Sequence, residues 1–167
     1  MAVDENASEP VADREHVITR ELSAPARIVF EAYTKPEHIK RWFGPKPWPV
    51  TSAVMDFRVG GRFRFQMTGP GGELGPPFGG TYLEIVPNRK IVYDNAFEAT
   101  PDEKMIVTVT FEDKGEKTLL VVHTLFGTAA MKKDYLERGY GEGTVIALDQ
   151  LGAMTAGSAS ASATMRA

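Results

Sequence analysis

The chain has 167 residues, no cysteine and a net charge of −3. That length suits one domain with a core large enough to need no staples, and the absence of cysteine excludes disulfides, thiolate nucleophiles, zinc ribbons and iron–sulfur clusters. The charge gives no broad electrostatic reason to bind nucleic acid or an anionic membrane. No stretch approaches the roughly 20 apolar residues of a membrane span, and the acidic start Met1-Ala2-Val3-Asp4-Glu5 does not read as a signal peptide. A cytoplasmic protein is expected.

Residues 1–14 are small, polar and acidic and read as a disordered segment. A first strand is predicted over 15–22. Ser23 then caps a helix with Pro25 in its first turn, where a missing N–H costs nothing. Ile28, Val29, Ala32 and Tyr33 share one face of it. Pro36 restarts a short helix whose inward residues are Ile39, Trp42 and Phe43, with the last two anchoring the seam to a sheet. Gly44-Pro45 and Pro47-Trp48-Pro49 end it. Strands follow near 50–57, 61–68, 79–86, 90–98, 104–112 and 117–126, separated by short turns that favour an antiparallel meander. The Gly/Pro-rich loop 69–79 is a candidate mobile rim. A helical pattern from about 131 to 154 closes the domain, interrupted by Gly139, Gly141 and Gly143. The domain spans 15–155, and the low-complexity stretch 156–167 reads as a flexible tail.

This order defines an α+β fold: a curved antiparallel sheet of about seven strands wrapped around a long C-terminal helix, with two short helices after the first strand. A cavity between sheet and helix is where such a fold would take a small molecule. Phe63 and Phe65 alternate with Arg62 and Arg64 and so face inward. With Pro87-Asn88-Arg89-Lys90 as a loop, Tyr82, Tyr93 and Phe97 share a face, Asn95 lies between the last two, and Glu84 joins them. A buried Glu84 could serve as an acid or base; exposure near a strand end is the alternative. Pairing Glu112 with Lys117 turns Val107, Val109 and Phe111 inward beside Leu120, Val122 and Thr124, and turns His123 outward. Tyr140 and Thr144, four residues apart, look into the space bounded by Phe65, Tyr93 and Phe97. The cavity candidates are therefore Trp42, Phe43, Phe63, Phe65, Tyr82, Tyr93, Asn95, Phe97, Val109, Tyr140 and Thr144. Each glycine inside the last helix costs about 1 kcal/mol relative to alanine. Two readings stay open: room beneath the helix, or a break between two helical pieces.

The chemistry of other classes finds little purchase. His16, His38 and His123 lack metal-ligand spacing, and nothing calls for a cofactor. Gly60-Gly61 precedes a strand, so it is a tight turn and not a phosphate loop. No Gly-x-Ser-x-Gly elbow anchors a hydrolase triad, and no catalytic set is assigned.

The segments Ala24-Pro25, Phe30-Glu31-Ala32, Thr34-x-Pro36-Glu37-His38, Arg41-Trp42-Phe43-Gly44-Pro45 and Asp56-x-Arg58-x-Gly60-Gly61-x-Phe63 resemble the SRPBCC, or START-like, superfamily. So do Gly80-Thr81-Tyr82-x-Glu84-Ile85-x-Pro87, Val107 to Glu112, and Leu148-Asp149-x-Leu151. The branch most similar is the homologue group named for the activator of the heat-shock-protein-90 ATPase. The resemblance runs from about residue 15 to 154 and implies a helix-grip fold. Members of that branch often carry Trp where this chain has Thr144, which implies a larger or more polar cavity here. Function transfers less directly than fold. A domain binding a hydrophobic or aromatic ligand in an internal cavity leads, and the chain is more a binder than an enzyme. A co-chaperone-type module stimulating a chaperone ATPase, and a cyclase- or hydrolase-like enzyme on an aromatic or polyketide-like substrate, stay open. So does a homodimer.

Overall fold

The computed structural model describes residues 9–166; of the segment 1–14 expected to be disordered, residues 1–8 lie outside them. A short 3-10 turn, Val11–Asp13, leads into β1 (Glu15–Leu22). Helices α1 (Ala26–Glu31) and α2 (Pro36–Trp42) follow. Then come β2 (Val50–Met55), β3 (Arg62–Met67), β4 (Phe78–Val86), β5 (Lys90–Phe97), β6 (Met105–Asp113) and β7 (Thr118–Phe126). The chain ends in α3 (Ala129–Glu137) and α4 (Tyr140–Arg166). Helix α4 therefore continues past residue 155, through the Ala/Ser-rich stretch.

The seven strands form one antiparallel order, β1-β7-β6-β5-β4-β3-β2. β2 to β7 are a meander, and β1 pairs back onto β7. β1 and β2 thus lie on opposite edges, so α1 and α2 carry the chain across the concave face between them. Alternating side chains of each strand point to that face. There Leu120, Val107, Val109, Ile91 and Phe65 are almost fully buried, capped from above by Leu148 and Leu151 of α4.

Three local expectations are corrected. Ser23 does not cap α1: the N-cap is Pro25, two residues further along, with extended backbone and no side-chain hydrogen bond. The β6–β7 register is Asp113 with Thr118 and Val109 with Val122, two residues from the expected pairing. The true loop is Lys114 to Lys117, closed by the Lys114 N–H to the Lys117 carbonyl at 2.9 Å. A slip of two preserves every facing. The β4–β5 loop is the three residues 87–89, with Asn88 at φ 63°, and an irregularity between Tyr82 and Glu84 shifts the parity beyond it. Tyr82 stays inward while Glu84 turns out, exposed, 3.2 Å from Lys90. That placement removes Glu84 as a buried acid or base.

Candidate ligand-binding cavity

A cavity of about 480 Å³ lies between α4 and the sheet. Its floor follows from strand alternation: Tyr93, Asn95 and Phe97 of β5, Val107 and Val109 of β6, and Val122 of β7. Its roof is the helical stripe Tyr140, Gly143, Thr144, Ala147 and Leu148, spaced at three, four and seven residues. The roof residues above the floor's centre are small, which is why space remains beneath the helix. Trp42, Phe43 and Tyr33 close one end. Pro45 and Trp48 after α2, Gly75 and Pro76 of the 69–79 loop, and Arg138 and Gly139 at the α3–α4 break form the rest of the wall.

The structure brings together Trp42, Phe43, Tyr93, Asn95, Phe97, Val109, Tyr140 and Thr144 on this one surface. Phe63, Phe65 and Tyr82 are a correction. They face the same concave side but pack into an aromatic cluster with Phe57, with ring centroids 4.9 Å apart for Phe57–Tyr82 and 5.2 Å for Phe63–Tyr82. The void left there is about 10 Å³, at the threshold for a single water. Phe57, from the loop between β2 and β3, supplies the ring that fills this end. Trp48, Tyr135 and Arg138 went unrecognised in the sequence. A tryptophan between two prolines, beside a loop rich in glycine, was the available signal: so large a ring on irregular backbone needs a wall to lie on.

Gly139 reconciles the two readings of the last helix. At φ 96° it separates α3 from α4, a conformation that glycine adopts at no steric cost. Gly143 lies inside α4, where an added Cβ would touch Pro45 at 3.4 Å. One glycine is the break and the other thins the roof. Thr144 keeps its hydroxyl on its own helix, donating to the Tyr140 carbonyl at 2.8 Å.

The polar groups of the cavity are mostly neutral. The Tyr140 and Thr124 hydroxyls share a 2.7 Å hydrogen bond. Burial pushes the Tyr93 hydroxyl well above the usual phenol range, reinforced by Tyr140, Tyr33 and Tyr82. Burial raises Tyr33 in the same direction, with a further contribution from Tyr140. These phenols stay protonated at neutral pH. Asn95 Oδ1 is the one buried side-chain polar atom among the described residues without a hydrogen-bond partner. Arg138 is the only charged residue of the lining, and it is paired at 3.2 Å with Asp134. Such a surface can hold an apolar molecule and hydrogen-bond it.

The histidines lie elsewhere. His123 points away from the cavity and meets the Glu15 carboxylate at 2.8 Å. His38 Nδ1 is 3.1 Å from the Glu31 carbonyl. His16 stands edge-on to Tyr140, with its pKa lowered by burial and by nearby Lys132. Among the described residues no group of three or more His, Asp or Glu is placed to hold a metal. No described helix is long and apolar enough to cross a membrane.

Sheet, long helix and intervening cavity define a helix-grip domain of the SRPBCC class. The profile of the family described as Activator of Hsp90 ATPase homolog 1-like protein matches residues 23–156, and the chain belongs to that family. Solved structures share the fold. Protein NE0264 from Nitrosomonas europaea is 26% identical at a TM-score of 0.76, covering 84% of this chain and 93% of that one. Protein CV1439 from Chromobacterium violaceum is 27% identical at 0.73, covering 86% and 97%. A protein from Arthrobacter aurescens is 25% identical at 0.80, covering 87% of each. No curated protein matches the chain.

Proposed function

We propose that this domain binds a small hydrophobic or aromatic molecule in the cavity beneath α4. The observation that carries the reading is the cavity itself: about 480 Å³, within the range of small-molecule sites. Its wall is apolar and aromatic, with a few inward polar groups. Protein interiors are otherwise packed close to the density of organic crystals, and this solvent-accessible space of about 480 Å³ departs from that packing. The neighbouring aromatic end, filled almost completely, supports the same view. The family's description favours a second reading, a co-chaperone-type module; stimulation of a chaperone ATPase by the purified protein is its direct measurement.

Native mass spectrometry of purified protein tests for a co-purified molecule. Titration with the apolar dye phenylnaphthylamine tests the site. Thr144→Trp places an indole under the roof and is expected to weaken dye binding at least about tenfold while the protein stays folded. Equal binding by wild type and variant would sink the cavity reading.

A further inference from the structure

We infer that the ligand carries a neutral hydrogen-bond donor, such as a phenol or alcohol hydroxyl, on an apolar body, and that Asn95 receives it. This rests on the ligand-binding reading above and names the chemistry that the site selects. Asn95 sits on β5, an interior strand between β4 and β6. Tyr93 and Phe97 flank it on the same face, and Met105 stands opposite it in the register. Asparagine is depleted in strands, and an amide buried without a partner destabilises the fold.

Among the described residues, every other fully buried side-chain polar atom has its partner inside the protein. The Trp42 N–H donates to the Ala32 carbonyl at 2.9 Å. Thr118 donates to the Ala24 carbonyl at 2.7 Å, Thr124 bonds Tyr140, and Thr155 donates to the Leu151 carbonyl at 2.8 Å. Asn95 Oδ1 alone has none, and the residue that carries it belongs to the cavity wall. The oxygen is an acceptor, so the missing partner is a donor. The terminal torsion of asparagine is soft, so the amide can turn its oxygen to a bound hydroxyl.

The charge of that group follows from the surroundings. Beside Asn95 the wall holds rings and a thioether. The one cation of the lining, Arg138, is occupied by Asp134 and has 72% of its side chain exposed. An anionic head beside Asn95 would be buried without a counter-charge. A neutral donor meets no such cost.

Calorimetric titration with naphthol and methoxynaphthalene, matched in ring and differing in the donor, tests this. Wild type is expected to bind naphthol about tenfold tighter. In Asn95→Leu the ratio is expected to fall to near one. The ligand-free variant is expected to melt about 2–4 °C higher, because an unpartnered amide is replaced by an apolar side chain. Asn95→Val, suited to a strand, carries the same expectation should the leucine fit poorly. A wild-type ratio within about twofold of one overturns the inference, as does a naphthol preference retained in both variants; in either case ligand binding itself stands. Failure of both probes to bind wild type overturns the inference and the ligand-binding reading together.

Discussion

The two ends of the concave face are built from similar residues and have opposite outcomes. At one end Phe63, Phe65, Tyr82 and Phe57 interlock with Phe30 and Phe111, whose rings lie 5.4 Å apart. A void of about 10 Å³ remains. At the other, Tyr93, Phe97, Tyr135 and Tyr140 surround about 480 Å³. Tyr33, Phe43 and Tyr93 touch both spaces and form the partition between them. Apart from Asn95 the floor is apolar or aromatic at both ends, so the cover makes the difference. Over the packed end α1 contributes Phe30, the turn after it Tyr33, and the β2–β3 loop Phe57. Over the open end α4 contributes Gly143, Thr144 and Ala147. The cavity therefore reflects small residues in the roof, and not any shortage of apolar floor.

Charging the partition should break this arrangement most severely. Burial holds the Tyr33 and Tyr93 hydroxyls above the ordinary value of 10.0. The unfolded chain then loses these protons first, so the stability they contribute is complete below about pH 10 and falls as pH rises above it. For two such groups the loss steepens toward a limit of about 3 kcal/mol per pH unit well above pH 10, and amounts to about 3 kcal/mol in all between about pH 9 and pH 11. Denaturant midpoints measured from about pH 9 to pH 11 check this. A flat profile would show that the hydroxyls ionise within the fold.

Truncation should distinguish the two ends directly. Phe63→Ala, in the filled cluster, is expected to cost about 3–4 kcal/mol. Phe97→Ala already borders open space and is half-buried, so about 1–2 kcal/mol is expected. Equal shifts in the chemical-denaturation midpoint would erase the proposed distinction.

The smallest effects, of opposite sign, should come from the last helix. Gly139→Ala is expected to cost about 1 kcal/mol through its backbone alone, since an added Cβ would meet only a Glu142 oxygen at 3.8 Å. Gly143→Ala should be neutral or stabilise by up to about 1 kcal/mol, since its Cβ would rest on Pro45 within a helix. Thermal melts of the two variants resolve the signs. A stabilising Gly139→Ala would contradict the break.

The strands were legible almost residue by residue, because a period of two and compact turns leave few alternatives. His123 could be turned outward even from a register two residues in error, since parity survives such a slip. Glu84 shows the limit: one irregularity after Tyr82 reverses its face, and no alternation pattern announces a bulge. Phe63, Phe65 and Tyr82 were correctly placed on the concave side, yet which end of that side is filled depends on Phe57, which the strand expected over 50–57 included but which lies in the loop after β2 ends at Met55. Trp48 and Arg138 escaped for a related reason. Both come from irregular backbone, where the path is set by tertiary contacts and not by local spacing.

Trp42 and Trp48 are the two tryptophans of the chain, and both stand in the cavity wall. All of the protein's indole emission therefore originates beside the proposed site. Trp42 is buried, with its N–H held by the Ala32 carbonyl, and should emit at short wavelength. Trp48 is half-buried, its ring lying over the backbone at Gly69 and Gly75, and should emit further to the red. A molecule entering past the 69–79 loop would change the surroundings of Trp48 before those of Trp42. The unlabelled protein should thus act as its own optical indicator of occupancy, with a spectral shift tracing the order in which the two ends of the wall are reached.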